Sequence, residues 1–168
     1  NKKMASLAQY ATSANFQMET KKEPTDVPAY IEQYVLNVVE IFKSSDMNIK
    51  INNSVDQLFE MNVRRIELSI LIDNIISNSS KALAKELVIN ISKTSENVLS
   101  VSFIDNGKGL DKRLPDRDAI FEIGVTTTIG GSGLGLYHVK NIVEKMNGKI
   151  EAIPLKPRGM EIKMEFTK

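Results

Sequence analysis

The chain has 168 residues, 42% of them hydrophobic, enough for one domain with a sizeable core. A net charge of +1 gives no electrostatic reason to expect nucleic acid or an anionic membrane, and the lack of cysteine excludes disulfides and thiolate metal sites. No apolar run approaches the ~18 residues of a membrane span, and the opening NKKMASLAQY lacks the apolar centre of a signal peptide. Beginning at Asn1, the chain is expected to be a piece of a longer protein.

In chain order, Met4, Leu7, Ala8, Ala11, Ala14 and Met18 recur at helical spacing and predict a helix over residues 3–18 with one narrow apolar stripe. KKEPTDVP then breaks the pattern with two prolines. Asp26 as N-cap and Pro28 in the first turn predict a helix from Ala29 to Lys43. NIKINNSV and LFEMNV read as short strands around a polar turn. A second long helix is predicted over Arg64–Leu83, with Leu68, Leu71, Ile72, Ile75 and Leu83 as its buried stripe. LVINISK and NVLSVSFID are strands joined by Thr-Ser-Glu-Asn, and Gly133–Met146 is a third helix ended by Asn147-Gly148. KIEAIPL and GMEIKMEF close the chain as strands around Lys156-Pro157-Arg158-Gly159. Helices and antiparallel hairpins on one chain predict an α+β fold, a two-layer α/β sandwich with helices on one face of a mixed, mostly antiparallel sheet.

Candidate chemistry lies in three stretches. The second helix holds six Asn, Asp or Ser residues between Asp73 and Ser80, all mediocre helix formers. A solvated face accounts for any one of them. Asn74, Asn78 and Lys81, however, share a stripe bordering the buried one. Amide oxygens ligate hard cations such as Mg²⁺, and lysine neutralises phosphate. Next, Leu99, Val101, Phe103 and Asp105 alternate onto one strand face, so Asp105 points to the apolar side where the strand ends. A carboxylate there needs donors, which an adenine amino group and a water would supply; a turn merely capped by Asp105 is the competing reading. Gly107 and Gly109 would let the backbone pass close to a flat ring. Last, Gly130 to Leu136 is a glycine-rich turn opening a helix, whose N–H groups and positive dipole end suit phosphate. It does not follow an early strand of a parallel βαβ unit, so the dinucleotide-binding reading is rejected.

Taken in order, these elements resemble the ATPase superfamily shared by DNA gyrase, the ninety-kilodalton heat-shock chaperone, histidine kinases and MutL. The similarity is greatest to the catalytic, ATP-binding domain of sensor histidine kinases, and it covers residues 25–168. NIISN-SSK (Asn74 to Lys81) matches the N box, DNGKG (Asp105 to Gly109) the G1 box, IFEIGVTT (Ile120 to Thr127) the F box and GGSGLGL the G2 box. Each is degenerate alone; four in the right order carry the resemblance. It implies the Bergerat ATP-binding fold, with ATP and Mg²⁺ as cofactors. By the same resemblance Asn78 would hold Mg²⁺ and contact phosphate, with Asn74 and Lys81 beside the phosphate chain. Asp105 would bind the adenine amino group, and Gly107, Gly109 and Leu110 would line the base pocket. Thr127, Gly131, Ser132, Gly133, Leu134 and Gly135 would surround the phosphates. Residues 111–132 would form a lid, anchored by Ile120, Phe121 and Ile123.

Position 74 discriminates within the superfamily, whose hydrolytic members carry a glutamate there to activate water. Asn74 has no basic form at neutral pH, and Asp73 projects about 100° away around the helix. The site should therefore hold ATP for transfer. Thr128 stands where a lysine often does, and Met160 follows Gly159 where a threonine is frequent. The only histidine, His138, falls in the third helix, flanking its buried stripe, and is read as structural. The acceptor is then expected on a phosphoacceptor-histidine domain of the same or a partner chain. Residues 1–24 are read either as the tail of such a hairpin or as a helix docking on its own domain. The leading function is a histidine-kinase catalytic domain that donates the γ-phosphoryl group. An ATP-gated interaction module without catalysis and a slow ATPase are the alternatives. The resemblance further implies a homodimer in the full-length protein, a response regulator and a cytoplasmic domain whose parent is soluble or membrane-anchored. No nucleic-acid partner is expected.

Overall fold

The computed structural model describes residues 21–42, 46–111, 114, 116–125 and 133–168. The helix expected over residues 3–18 lies outside them. In chain order the elements are β1 (Glu23–Asp26), α1 (Val27–Phe42), β2 (Asn48–Asn53), β3 (Glu60–Val63), α2 (Arg65–Lys81) and β4 (Glu86–Ser95). There follow β5 (Val98–Asp105), a 3₁₀ turn (Asp118–Phe121), α3 (Gly135–Lys145), β6 (Gly148–Pro154) and β7 (Met160–Thr167).

The core grows from the alternation on one hairpin. Leu87, Ile89 and Ile91 of β4 share a face with Leu99, Val101 and Phe103 of β5, and all are buried. Strand β7 pairs antiparallel to β5 and adds Ile162, Met164 and Phe166 to the same layer. With β6 at one edge and β2 at the other, the five-stranded order is β2-β4-β5-β7-β6. Only the β2–β4 pairing is parallel, so the sheet is mixed and mostly antiparallel. The helices close the layer with their own apolar stripes: Val27, Ile31, Val35 and Val38 of α1, Leu68, Leu71, Ile72 and Ile75 of α2, and Val139, Ile142 and Val143 of α3. This is the expected two-layer α+β sandwich.

Two local expectations fail. Strands β2 and β3 do not form a hairpin. β3 pairs antiparallel with β1, which lies within the segment read from its prolines as a break, and the two make a separate small sheet. Phe59 and Val63 are the reason: both are buried, and the Phe59 carbonyl accepts the Val27 N–H at the start of α1. Their burial draws this stretch to the start of α1, while β2 completes the sheet edge. Leu83 does not extend the buried stripe of α2. The helix stops at Lys81, Leu83 turns out with φ 59, and its side chain is 64% exposed. Ile76 and Ser79 fill the last turns instead.

Candidate functional site

Helix α2 presents Asn74 and Asn78 towards the start of α3. The Asn74 amide nitrogen donates to the Ile70 carbonyl at 2.8 Å, which turns its Oδ1 towards Gly135. A Cβ at position 135 would lie 2.8 Å from that oxygen and 3.8 Å from Asn78 Nδ2, so only glycine lets the helices approach this closely. Helix α3 begins at this contact with no side-chain cap and no acidic residue in its first turn. Its positive dipole end is therefore not neutralised by its own side chains.

Across the cavity, β5 ends at Asp105. Its Oδ1 accepts the Gly107 N–H at 2.8 Å and its Oδ2 accepts the Ser79 hydroxyl at 3.1 Å. Burial pushes this carboxyl above the usual range, while the Gly107, Ser79 and Met160 donors restrain the rise. Gly159, in the turn between β6 and β7, has φ +107, and a Cβ there would collide with the Asp105 carbonyl oxygen. The close approach of that turn sets where β5 ends.

Between these walls lies a cavity of about 470 Å³. It brings together Asn74, Asn78, Lys81, Asp105, Gly109, Leu110, Gly133 and Gly135 from the sequence-predicted set. Ile75, Met160 and Ile162 make part of its apolar lining. Gly107 adjoins it through the Asp105 bond, and Leu134 is the N-cap of α3 rather than a wall residue. Thr127, Gly131 and Ser132 lie outside the described residues, as does part of the expected lid. Of the three proposed lid anchors, Ile120 and Phe121 are buried in the 3₁₀ turn, but Ile123 is 63% exposed.

Asp73 is not on the cavity wall. It accepts the Tyr34 hydroxyl of α1 at 2.9 Å, and burial pushes its carboxyl up to about 6. His138, expected beside the buried stripe of α3, is exposed, with its ring 5.9 Å from that of Tyr137. Sequence reasoning missed Ser79, Gly159 and Lys108. For Ser79 a signal existed: it falls four residues after Ile75 and seven after Ile72, and a hydroxyl on an apolar stripe requires a partner. For Gly159 only the turn was legible, since its neighbour Asp105 is far away in sequence.

Two neighbouring amides, a half-buried carboxylate and a glycine-opened helix start without a side-chain cap sit on this sandwich, as expected of an ATPase-type domain. Residues 63–168 match the family described as histidine kinase-, DNA gyrase B-, and HSP90-like ATPase, and the chain belongs to it. It is 26% identical over 168 residues to a probable C4-dicarboxylate sensor kinase of Bacillus subtilis, covering 90% of this chain and 30% of the relative. It is 31% identical over 105 residues to the sensor histidine kinase ZraS of Escherichia coli, covering 62% of this chain and 22% of that one. The chain thus spans less than a third of these relatives. Among solved structures, the catalytic domain of histidine kinase ThkA superimposes with a TM-score of 0.74 at 18% identity, covering 89% of this chain and 97% of that one. Full-length ShkA in complex with AMPPNP gives 0.70 at 20% identity, covering 97% of this chain and 34% of that one. The fold is that of the sensor histidine kinase catalytic domain. Among the described residues no helix is long and apolar enough to cross a membrane.

Proposed function

We propose that this chain binds Mg-ATP and donates its γ-phosphoryl group to a histidine on a phosphoacceptor domain of the same or a partner chain. The observation that carries this reading is the cavity itself. A half-buried acceptor, Asp105, stands at one wall, and two amides beside a helix start without a side-chain cap stand at another. Asp105 accepts the exocyclic amino group of adenine; guanine has a carbonyl there and would leave the carboxylate facing another acceptor. Main-chain N–H groups at the start of α3 take phosphate oxygens, and Lys81 neutralises part of their charge. In transfer the bond from the γ-phosphorus to the bridging oxygen breaks, a bond from phosphorus to the acceptor nitrogen forms, and ADP departs. Asn74 cannot deprotonate water, and Asp73 is held by Tyr34, so neither supplies a base for hydrolysis.

The residues present fit magnesium in one particular way. Among the described residues there is no group of three or more His, Cys, Asp or Glu side chains to cage an ion. Asn78 offers a single hard oxygen on the cavity wall, which suits a metal that arrives with the phosphates and keeps its waters. Bound there, Mg²⁺ would screen phosphate charge during transfer. Use of ATP supports a cytoplasmic position for the domain. The same reading extends to a response regulator and a homodimer for the full-length protein.

Calorimetry with ATP and GTP, followed by transfer of labelled phosphate to the parent protein's acceptor hairpin, tests the reading. We expect ATP to bind well ahead of GTP, and Asp105→Asn to lose about 1–3 kcal/mol of ATP binding. Equal affinities for the two nucleotides would overturn the base assignment. Binding without transfer would favour an ATP-gated interaction module.

A further inference from the structure

Among the described residues two lysines line the cavity, Lys81 in the last turn of α2 and Lys108 between Gly107 and Gly109 in the turn after β5. Lys108 is the spacer of that glycine turn, and nothing in the motif gives it a task. Its backbone is pinned. The Lys108 N–H donates to the Ala82 carbonyl at 2.9 Å, holding the turn against the residue that caps α2 and follows Lys81. Gly107 is buried against the same residue, and a Cβ there would lie 2.8 Å from the Ala82 carbonyl oxygen. The main chain is thus fixed at the cavity wall, and the long exposed side chain of Lys108 is the part free to move.

Lys50, Arg65, Lys85 and Lys163 each pair with a carboxylate. Among the described residues neither Lys81 nor Lys108 has such an ion pair. The carboxylates on the cavity wall are otherwise engaged: Asp105 by Ser79 and Gly107, and Asp111 by an interaction of its own. Among the described residues, two ammonium groups without an ion pair therefore border one cavity, their backbones joined through Ala82. A lysine so placed is a compact point charge on a flexible stem, suited to phosphate. The uncharged Thr128 leaves a share of phosphate charge for other residues to neutralise.

We propose that Lys108 is an affinity-determining residue for the phosphate chain of the nucleotide, acting beside Lys81. This rests on the nucleotide reading given above. The alternative placement of the ammonium, over the face of the adenine ring, would act on the base and not on the phosphates.

The test is calorimetry on the 168-residue chain with ATP, ADP and adenosine, comparing wild type, Lys108→Gln and Lys108→Arg. We expect Lys108→Gln to weaken ATP binding about three- to tenfold, ADP binding less, and adenosine binding by under about twofold. Lys108→Arg keeps the charge and most of the affinity, and the deficit of Lys108→Gln shrinks as salt is raised. An equal loss for adenosine, in a variant that melts at the wild-type temperature, overturns the phosphate role in favour of a ring contact. Unchanged ATP affinity in Lys108→Gln, alongside a loss in Asp105→Asn, overturns this inference and leaves the nucleotide reading standing. No ATP binding by the wild type overturns both.

Discussion

Ser79 shows how one hydroxyl tunes the carboxylate proposed to recognise the base. It is buried on the apolar stripe of α2 and donates to Asp105 Oδ2, stabilising the ionised form of a carboxyl that burial raises. On the proposed base assignment adenine recognition needs that ionised form, so ATP affinity should fall as pH drops through the Asp105 pKa. Ser79→Ala removes one restraint on the rise and should move this fall to higher pH. At neutral pH it should weaken ATP binding by about 1 kcal/mol, as read from dissociation constants measured across the acid range. A pH profile superimposable on the wild type would show that the hydroxyl does not reach the carboxylate in solution. At Gly159 the constraint is steric. Its φ of +107 and the Asp105 carbonyl oxygen leave no place for a methyl group. Gly159→Ala should cost about 1–3 kcal/mol of stability in denaturant melts and weaken ATP binding, because relief of the clash must move the end of β5.

Helices α1 and α2 meet through a polar seam as well as an apolar one. Tyr30 and Tyr34 stack at 6.1 Å, Tyr30 bonds Ser69, and Tyr34 bonds Asp73. Burial raises the Asp73 carboxyl to about 6, so the folded chain holds that proton more tightly than the unfolded chain does. Stability from this group is therefore fully present at low pH and is lost as pH rises from the ordinary carboxylate range through about 6. Asp73→Asn keeps an amide oxygen for Tyr34 and removes the ionisation. It should stabilise the protein by about 1–2 kcal/mol at about pH 7.5, with the advantage gone by about pH 4. Urea melts at the two pH values check this; a destabilised variant at the higher pH would mean that the charged pair itself holds the helices together.

At the scale of the molecule, the acceptor should lie outside this chain. His138 is exposed in the first turn of α3, the same turn whose N–H groups are proposed to hold phosphate. A histidine on the phosphate-binding helix approaches from the side of the nucleotide's own contacts, whereas in-line attack needs the face of the γ-phosphorus opposite the leaving oxygen. Incubation with labelled ATP should leave the isolated chain unlabelled. Acid-labile label that disappears in His138→Gln would overturn both the placement of the acceptor and the non-catalytic reading of His138.

Whatever depends on near neighbours along the chain was legible in the sequence. The alternation in β4 and β5, the stripes of α1, α2 and α3, and the stripe shared by Asn74, Asn78 and Lys81 all follow from the fixed periods of strand and helix. Asp105 reads correctly for the same reason, because alternation from Leu99 aims it at the apolar side. The tertiary structure decided what joins residues distant in sequence. β1 and β3 form a sheet of their own, and β2 runs parallel to β4, because Phe59 and Val63 find burial near the start of α1. Pairing energy depends on which surface a strand can cover, a property no window of sequence contains. Leu83 is periodic with the core yet exposed, since the helix ends before reaching it. Ser79 and Gly159 gain their roles only when folding brings both to Asp105, one donating to its carboxylate and the other passing against its carbonyl.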